Sequence, residues 1–206
     1  MCENKYSTLG IIFYLHPYSD NLLKRLVKTP KLYFYDTGLV CYLTRWSSAE
    51  TLESGTMNGA ILENYVVSEI MKTYLNSGKQ PFMYYYRDKD AKEIDVILEH
   101  DGVLNPIEIK KTSNPGTKLT KVSGLLDKAS TPRSKGAVIC MKPALGAVDK
   151  DNYIVPIWMI WFLLLHHFQL FGGEKGGRSA FDSVVSEDDF CTCWEEKGGI
   201  YGANLY

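Results

Sequence analysis

Apolar residues recur along the chain with two different periods. GIIFYL (10–15) is apolar and β-branched and reads as a strand that HPYSDN then breaks. KLYFYD (31–36) predicts a second strand leading into TGLVCYL, where Asp36 is the natural N-cap of a short helix. Ser47, with Glu50 three residues on, resembles a capping box for another helical turn. Between Asn58 and Gly78 the period becomes helical: Leu62, Val66, Ile70 and Tyr74 share one stripe, and Gly78 closes the helix. Glu63 falls beside that stripe, with Val67 and Ile70 four and seven positions on, while Glu69 and Lys72 point outward. A carboxylate so close to a buried stripe marks itself out.

Three strands follow in quick succession, FMYYYR (82–87), EIDVILE (93–99) and VLNPIEIKK (103–111). Their connections, DKDAK and HDG, are short, which predicts an antiparallel meander. A Ser-Asn-Pro-Gly loop, a helix over about 117–129 and a buried strand GAVICM (136–141) complete the order helix, three strands, helix, strand, an α/β arrangement. The apolar run IVPIWMIWFLLLHHFQLF (154–171) is interrupted by Pro156, and its remainder is shorter than the roughly 20 residues a spanning helix needs. A core helix or a strand-to-helix transition is the expectation there, without stable membrane insertion. The 206 residues divide into a lead-in (1–57), a central domain (58–160) and an apolar segment with a loosely structured, Gly- and charge-rich tail (161–206).

Composition narrows the chemistry. With 45% hydrophobic and 23% charged residues the chain is an ordinary globular protein, and its net charge of -1 means that nucleic-acid contact needs a local basic patch. Lys110, Lys111, Lys118, Lys121, Lys128, Arg133 and Lys135 could supply one, or form a solvated face. Cysteines at 2, 41, 140, 191 and 193 are odd in number and lack framework spacing, pointing to reduced thiols in a cytoplasmic protein. Cys191 and Cys193 with His166 and His167 do not make a zinc spacing. Tyr84, Tyr85, Tyr86 and Trp158 read as packing residues rather than base-stacking platforms.

Strand alternation carries the sharper inference. In EIDVILE, Ile94, Val96 and Leu98 point one way and Glu93, Asp95 and Ile97 the other; in PIEIKK, Glu108 and Lys110 share a face opposite Ile107 and Ile109. A hairpin of these strands brings Asp95, Glu108 and Lys110 together. Two adjacent carboxylates repel unless a divalent cation or the lysine offsets them. Asp95, Glu108 and the backbone carbonyl of Ile109 would hold Mg²⁺ or Mn²⁺, and Glu63 would complete the shell directly or through water. Such a cation polarises a phosphate and acidifies a bound water, and Lys110 would orient that water or stabilise transition-state charge. The alternative is an amphipathic sheet whose exposed charges form ordinary ion pairs.

This order of elements, with Glu63, Asp95 and Glu108-Ile109-Lys110, resembles the PD-(D/E)XK nuclease superfamily, whose fold is restriction-endonuclease-like. More narrowly, KTPKLYFYDTGL, ENYVVSEI, YYYRDKDAKEIDVIL and PIEIKK, in this order between about residues 6 and 160, resemble the C-terminal domain of unknown function of prokaryotic AAA-type ATPases. The resemblance implies Glu63, Asp95, Glu108 and Lys110 as the site, and it makes GIIFYL the end of a winged-helix segment. The superfamily's leading Pro-Asp is replaced by Ile94-Asp95. GGEKGGRS (172–179) approaches a phosphate loop but has Arg178 where the lysine belongs, so no ATPase activity is expected of this chain. The implied activity is Mg²⁺-dependent hydrolysis of DNA phosphodiesters. The alternative is an inactive nuclease-fold module that binds DNA or a protein, such as an ATPase domain on another chain. A membrane-associated remnant is a third reading, resting on the apolar run alone.

Overall fold

Residues with β-branched and aromatic side chains pair edge to edge into one eight-stranded mixed sheet in the computed structural model, which describes residues 7, 9–19, 29–88 and 90–160. The strands are β1 (Ile12–Pro17), β2 (Lys31–Phe34), β3 (Phe82–Arg87), β4 (Glu93–His100), β5 (Val103–Lys110), β6 (Gly136–Cys140), β7 (Gly146–Asp149) and β8 (Asn152–Pro156). Their order across the sheet is β2-β1-β3-β4-β5-β6-β8-β7. The meander β3-β4-β5 is antiparallel as the short turns require; β5, β6 and β8 run parallel, and β1 meets β3 in parallel. Asp101 and Gly102, with φ of 50° and 72°, form the two-residue turn between β4 and β5, the left-handed pair that matches strand twist.

Three helices precede or follow the first strands: α1 (Thr37–Leu43), α2 (Ala49–Ser54) and α3 (Asn58–Asn76). Asp36 caps α1, its carboxylate accepting from the backbone N–H groups of Gly38 and Leu39. The next cap is Ser48 with Thr51 rather than Ser47 with Glu50, a shift of one residue that leaves Glu50 in the first turn of α2. In α3 the buried residues are Ile61, Asn64, Val66, Val67, Ser68 and Ile70, so the inward face is turned from the expected Leu62–Tyr74 stripe toward Asn64 and Val67. Helix α3 packs on β2, β5 and α1.

The segment expected as a second helix is a run of 3₁₀ turns, Thr117–Lys128. Leu119, Val122 and Leu125 recur every third residue, the 3₁₀ repeat, and Gly124 weakens α-helical propensity. Leu126 from this run joins Tyr18, Ile94, Ile97 and Leu104 in one buried cluster. That cluster corrects the alternation read from the sequence, because Ile94 and Ile97 are three residues apart and share a face. The cause is a β-bulge: the pairs Tyr84↔Ile97 and Tyr86↔Ile94 leave both Asp95 and Val96 opposite Tyr85. Glu93 and Asp95, on the near side of the bulge, still point together to the opposite face. Strand β5, covered on both faces, is buried continuously from Leu104 to Ile109.

The apolar run beyond β7 begins as strand β8 and turns into a short 3₁₀ helix, Ile157–Met159, as a strand-to-helix transition requires. The segment 161–206, with GGEKGGRS, His166, His167, Cys191 and Cys193, lies outside the described residues. Among the described residues no helix is long and apolar enough to cross a membrane.

Edge strand β2 is fastened by a side chain rather than by a second strand. Phe34 N–H donates to Asn64 Oδ1 at 2.8 Å, and Asn64 Nδ2 donates to the Phe34 carbonyl at 3.2 Å and to Thr37 Oγ1 at 3.0 Å. One buried amide therefore ties α3, β2 and α1 together. Asn64→Ala leaves the Phe34 backbone groups without these partners and should cost about 1–3 kcal/mol of stability by urea denaturation. A loss under about 0.5 kcal/mol would show that β2 is held by other contacts.

Candidate metal centre

The centre forms where the β4-β5 ladder stops. The last regular pair is Val96↔Ile107, so Asp95 and Glu108 stand one step beyond it. There the Ile109 N–H donates to Asp95 Oδ2 at 2.8 Å, in place of a backbone carbonyl. Lys110 Nζ reaches the same oxygen at 3.0 Å and Glu108 Oε2 at 3.1 Å. The structure therefore brings Asp95, Glu108 and Lys110 into direct contact. Ile109 contributes its N–H, a donor to Asp95, on the side of the strand to which its carbonyl also points.

Glu108 is 4% exposed, and its Oε1 is fully buried with no hydrogen-bond partner. Burial, foremost, and then the Asp95 charge push its carboxyl up to about 8, against the opposing pull of Lys110. Burial draws the Lys110 ammonium downward, but Asp95 and Glu108 outweigh it and leave its pKa above the ordinary value. Lys110 thus stays charged between two acids.

Glu63 projects from α3 toward the same face and belongs to a neighbouring group. One oxygen each of Glu63, Glu93 and Asp95 lie within 4.8 Å of one another, a spacing a single cation could span. Glu108 is outside that trio and meets it only through Asp95 and Lys110. Glu63 Oε1 accepts from Lys31 Nζ at 2.9 Å and from the Tyr33 hydroxyl at 2.6 Å. Lys31 Nζ also pairs closely with Glu93, and Arg87 Nε lies 3.7 Å from Glu93 Oε2. Burial, then the Glu63 charge, raises the Tyr33 phenol well above its ordinary pKa, so the hydroxyl remains a donor.

Lys31, Tyr33 and Glu93 are therefore site residues that sequence reasoning left without a role. Their signal was present as alternation, Lys31-x-Tyr33 in β2 and Glu93-x-Asp95 in β4. What alternation cannot give is that Lys31 and Tyr33 of β2 meet Glu63 of α3.

Elsewhere, three more of the basic residues that could have formed one patch are engaged. Arg133 pairs with Asp127 at 2.5 Å, Lys111 donates to the Glu53 carbonyl, and Lys135 donates to the Tyr153 hydroxyl. Cys41 is half-buried and Cys140 buried, both as free thiols.

The buried Glu108 carboxyl sets a pH dependence. Its pKa in the folded chain, about 8, lies above the ordinary 4.5, so between these values the folded chain holds a proton that the unfolded chain releases. Stability from this group is complete below about pH 4.5 and is lost as pH rises toward about 8. The urea midpoint of the metal-free protein should fall between pH 5.5 and 8 by this contribution, and Glu108→Gln should flatten the slope. An unchanged slope in Glu108→Gln would refute the assignment.

Comparison with known proteins adds family membership. Residues 58–160 match the family described as Domain of unknown function (DUF4143), and residues 7–50 match a second, Domain of unknown function (DUF8612). Two mycobacterial proteins, Uncharacterized protein Rv2008c of Mycobacterium tuberculosis and Uncharacterized protein Mb2031c of Mycobacterium bovis, are each 30% identical over 117 residues. The match covers 57% of this chain but 26% of each relative, so the shared stretch is about a quarter of those proteins' length. No solved structure matches the chain. With its β3-β4-β5 meander, helix α3 and the acids Glu63, Glu93, Asp95 and Glu108 all inside the span 58–160, half of its length, the chain belongs to the DUF4143 family of domains of unknown function.

Proposed function

We propose that the chain carries a restriction-endonuclease-like core in which Asp95, Glu108 and Glu63 bind Mg²⁺ or Mn²⁺ and Lys110 assists phosphodiester hydrolysis in DNA. The observation that carries this reading is the buried Glu108 carboxyl set against Asp95, with one ammonium, Lys110, shared between the two acids. Two carboxyls this close stay together without a metal by keeping a proton on Glu108, and coordination of a hard cation by their oxygens would take that proton's place. The donor set fits such an ion: Glu63, Glu93 and Asp95 form a cluster that offers oxygen alone, without cysteine or histidine among the described residues, and Glu108 adjoins it through Asp95.

A bound divalent cation supplies Lewis acidity toward a phosphate oxygen and a water that deprotonates near neutral pH. The remaining work falls to the chain. Ile109 N–H and Lys110 hold Asp95 in one orientation through Oδ2. Lys110, kept protonated by its two acids, presents fixed positive charge where a phosphate would gain negative charge. Burial of Glu108 keeps bulk water from competing for its oxygen. Metal uptake would expel the proton that Glu108 holds below about pH 8, so affinity should rise with pH over that range.

A second reading is favoured by Lys31, whose ammonium already neutralises Glu63 and Glu93. On that reading the fold is a module that recognises DNA or a protein and cuts nothing. In either case the resemblance to the C-terminal domain of AAA-type ATPases supports an ATPase domain as a partner.

Calorimetric titration of Mn²⁺ with parallel plasmid cleavage separates the two. Wild type should bind and nick, and Asp95→Ala and Glu108→Ala should each weaken binding by about a hundredfold and abolish nicking. Binding of DNA without metal uptake, unchanged by Asp95→Ala, would leave the module.

A further inference from the structure

We propose that Lys31 occupies, in the metal-free chain, a cation position framed by Glu63, Glu93 and Asp95, that Glu93 is a ligand there, and that an entering divalent cation displaces the Lys31 ammonium. This inference rests on the metal-binding reading above and extends it to two residues outside the expected set.

Three observations carry it. First, the ammonium bridges two of the three acids: it donates to Glu63 at 2.9 Å and pairs closely with Glu93. The carboxylate oxygens around it lie within 4.8 Å of one another. A hard divalent ion seeks oxygen ligands of this kind, and an ammonium and a metal ion cannot share so small a space without strong repulsion. Second, the charge is arranged for exchange. Asp95 and Glu108 share Lys110, which keeps both of its contacts, while Glu63 and Glu93 share Lys31 from a different strand and have Tyr33 and Arg87 beside them when it leaves. The buried Oε1 of Glu108, without a donor, shows that Lys110 does not satisfy the centre by itself.

Third, Lys31 can leave without disturbing the fold. It lies on edge strand β2, whose backbone is fixed independently by Asn64 and by its register with β1, Leu15↔Lys31. Its side chain is 25% exposed, and a four-carbon stem can swing the charged end into water. The Tyr33 hydroxyl remains on Glu63 Oε1 when it does so, keeping that carboxylate aimed at the centre. The Tyr85 ring, whose centroid is 5.3 Å from Nζ, is a contact that the ammonium gives up on leaving. The ammonium therefore works as a gate on metal affinity: it stabilises the empty cluster and competes with the ion that fills it.

The test is Mn²⁺ titration, by calorimetry and by electron paramagnetic resonance, of wild type, Lys31→Met, Lys31→Arg and Glu93→Gln at fixed pH. Removing the competing charge should tighten Mn²⁺ binding by about tenfold in Lys31→Met, Lys31→Arg should stay near wild type, and Glu93→Gln should weaken binding by about tenfold. Lys31→Met without metal should melt below wild type and regain its stability as Mn²⁺ is added. Nuclear magnetic resonance of the wild-type lysine ammonium groups, with Lys31 assigned by its loss in Lys31→Arg, gives a readout that needs no destabilised variant. Its resonance should move when Mg²⁺ is added.

If wild type binds metal but Lys31→Met binds it no more tightly, or the Lys31 resonance stays put, the displacement is wrong and the Asp95–Glu108 reading stands. If Lys31→Met binds and wild type does not, Lys31 bars the ion instead of yielding to it, and the displacement is wrong. If neither binds, both fall.

Discussion

The acidic centre depends on one substitution of partners at the end of the β4-β5 hairpin. A backbone N–H that a regular ladder would give to a carbonyl is taken by the Asp95 carboxylate instead. Two local features make this available. The ladder closes at Val96↔Ile107, and the bulge opposite Tyr85 inserts an extra residue into β4 just where Asp95 stands. Without the bulge, strict alternation would set Ile94 and Ile97 on opposite faces, and the cluster with Leu104 and Leu126 beneath the site could not form as it does. The break in regularity is thus shared between packing and chemistry: it seals one face and aims two acids at the other.

Charge balance is the second constraint. Glu63, Glu93, Asp95 and Glu108 converge, and Lys31, Lys110 and Arg87 answer them from β2, β5 and β3. Each lysine bridges two acids, so the centre divides into two linked halves with Asp95 between them. The more buried half keeps a proton on Glu108 to lower its charge. The more open half is neutralised by a side chain that begins outside the family's matched span, within the stretch 7–50. The lead-in region is therefore part of the site's electrostatics, through Lys31 and Tyr33, although it contributes no acid.

Much of this was legible in the sequence, for local reasons. Alternation placed Glu108 and Lys110 on one face, short turns dictated the meander, and Glu63 stood out because a carboxylate beside a buried helical stripe needs a partner. Asp36 and Gly78 announced the helix ends they occupy. What escaped was non-local or fine in scale. No periodicity says that β2 lies beside Glu63, so Lys31 and Tyr33 read as edge-strand residues. A bulge is one residue of slippage within an apolar run, which EIDVILE conceals because either register buries isoleucine and valine. The 3₁₀ segment read as an α-helix because its leucines fit both repeats over so short a span, and the capping box moved by one because Ser47 and Ser48 are chemically alike.

The central claim is that these acids hold a divalent cation. A crystal of the protein soaked in Mn²⁺ tests it most directly through the anomalous scattering of the metal. The account predicts an anomalous peak in contact with carboxylate oxygens of Asp95 and its neighbours, with the Lys31 ammonium moved away from Glu63 and Glu93. A map without such a peak, in which Lys31 still bridges those two carboxylates, would contradict it.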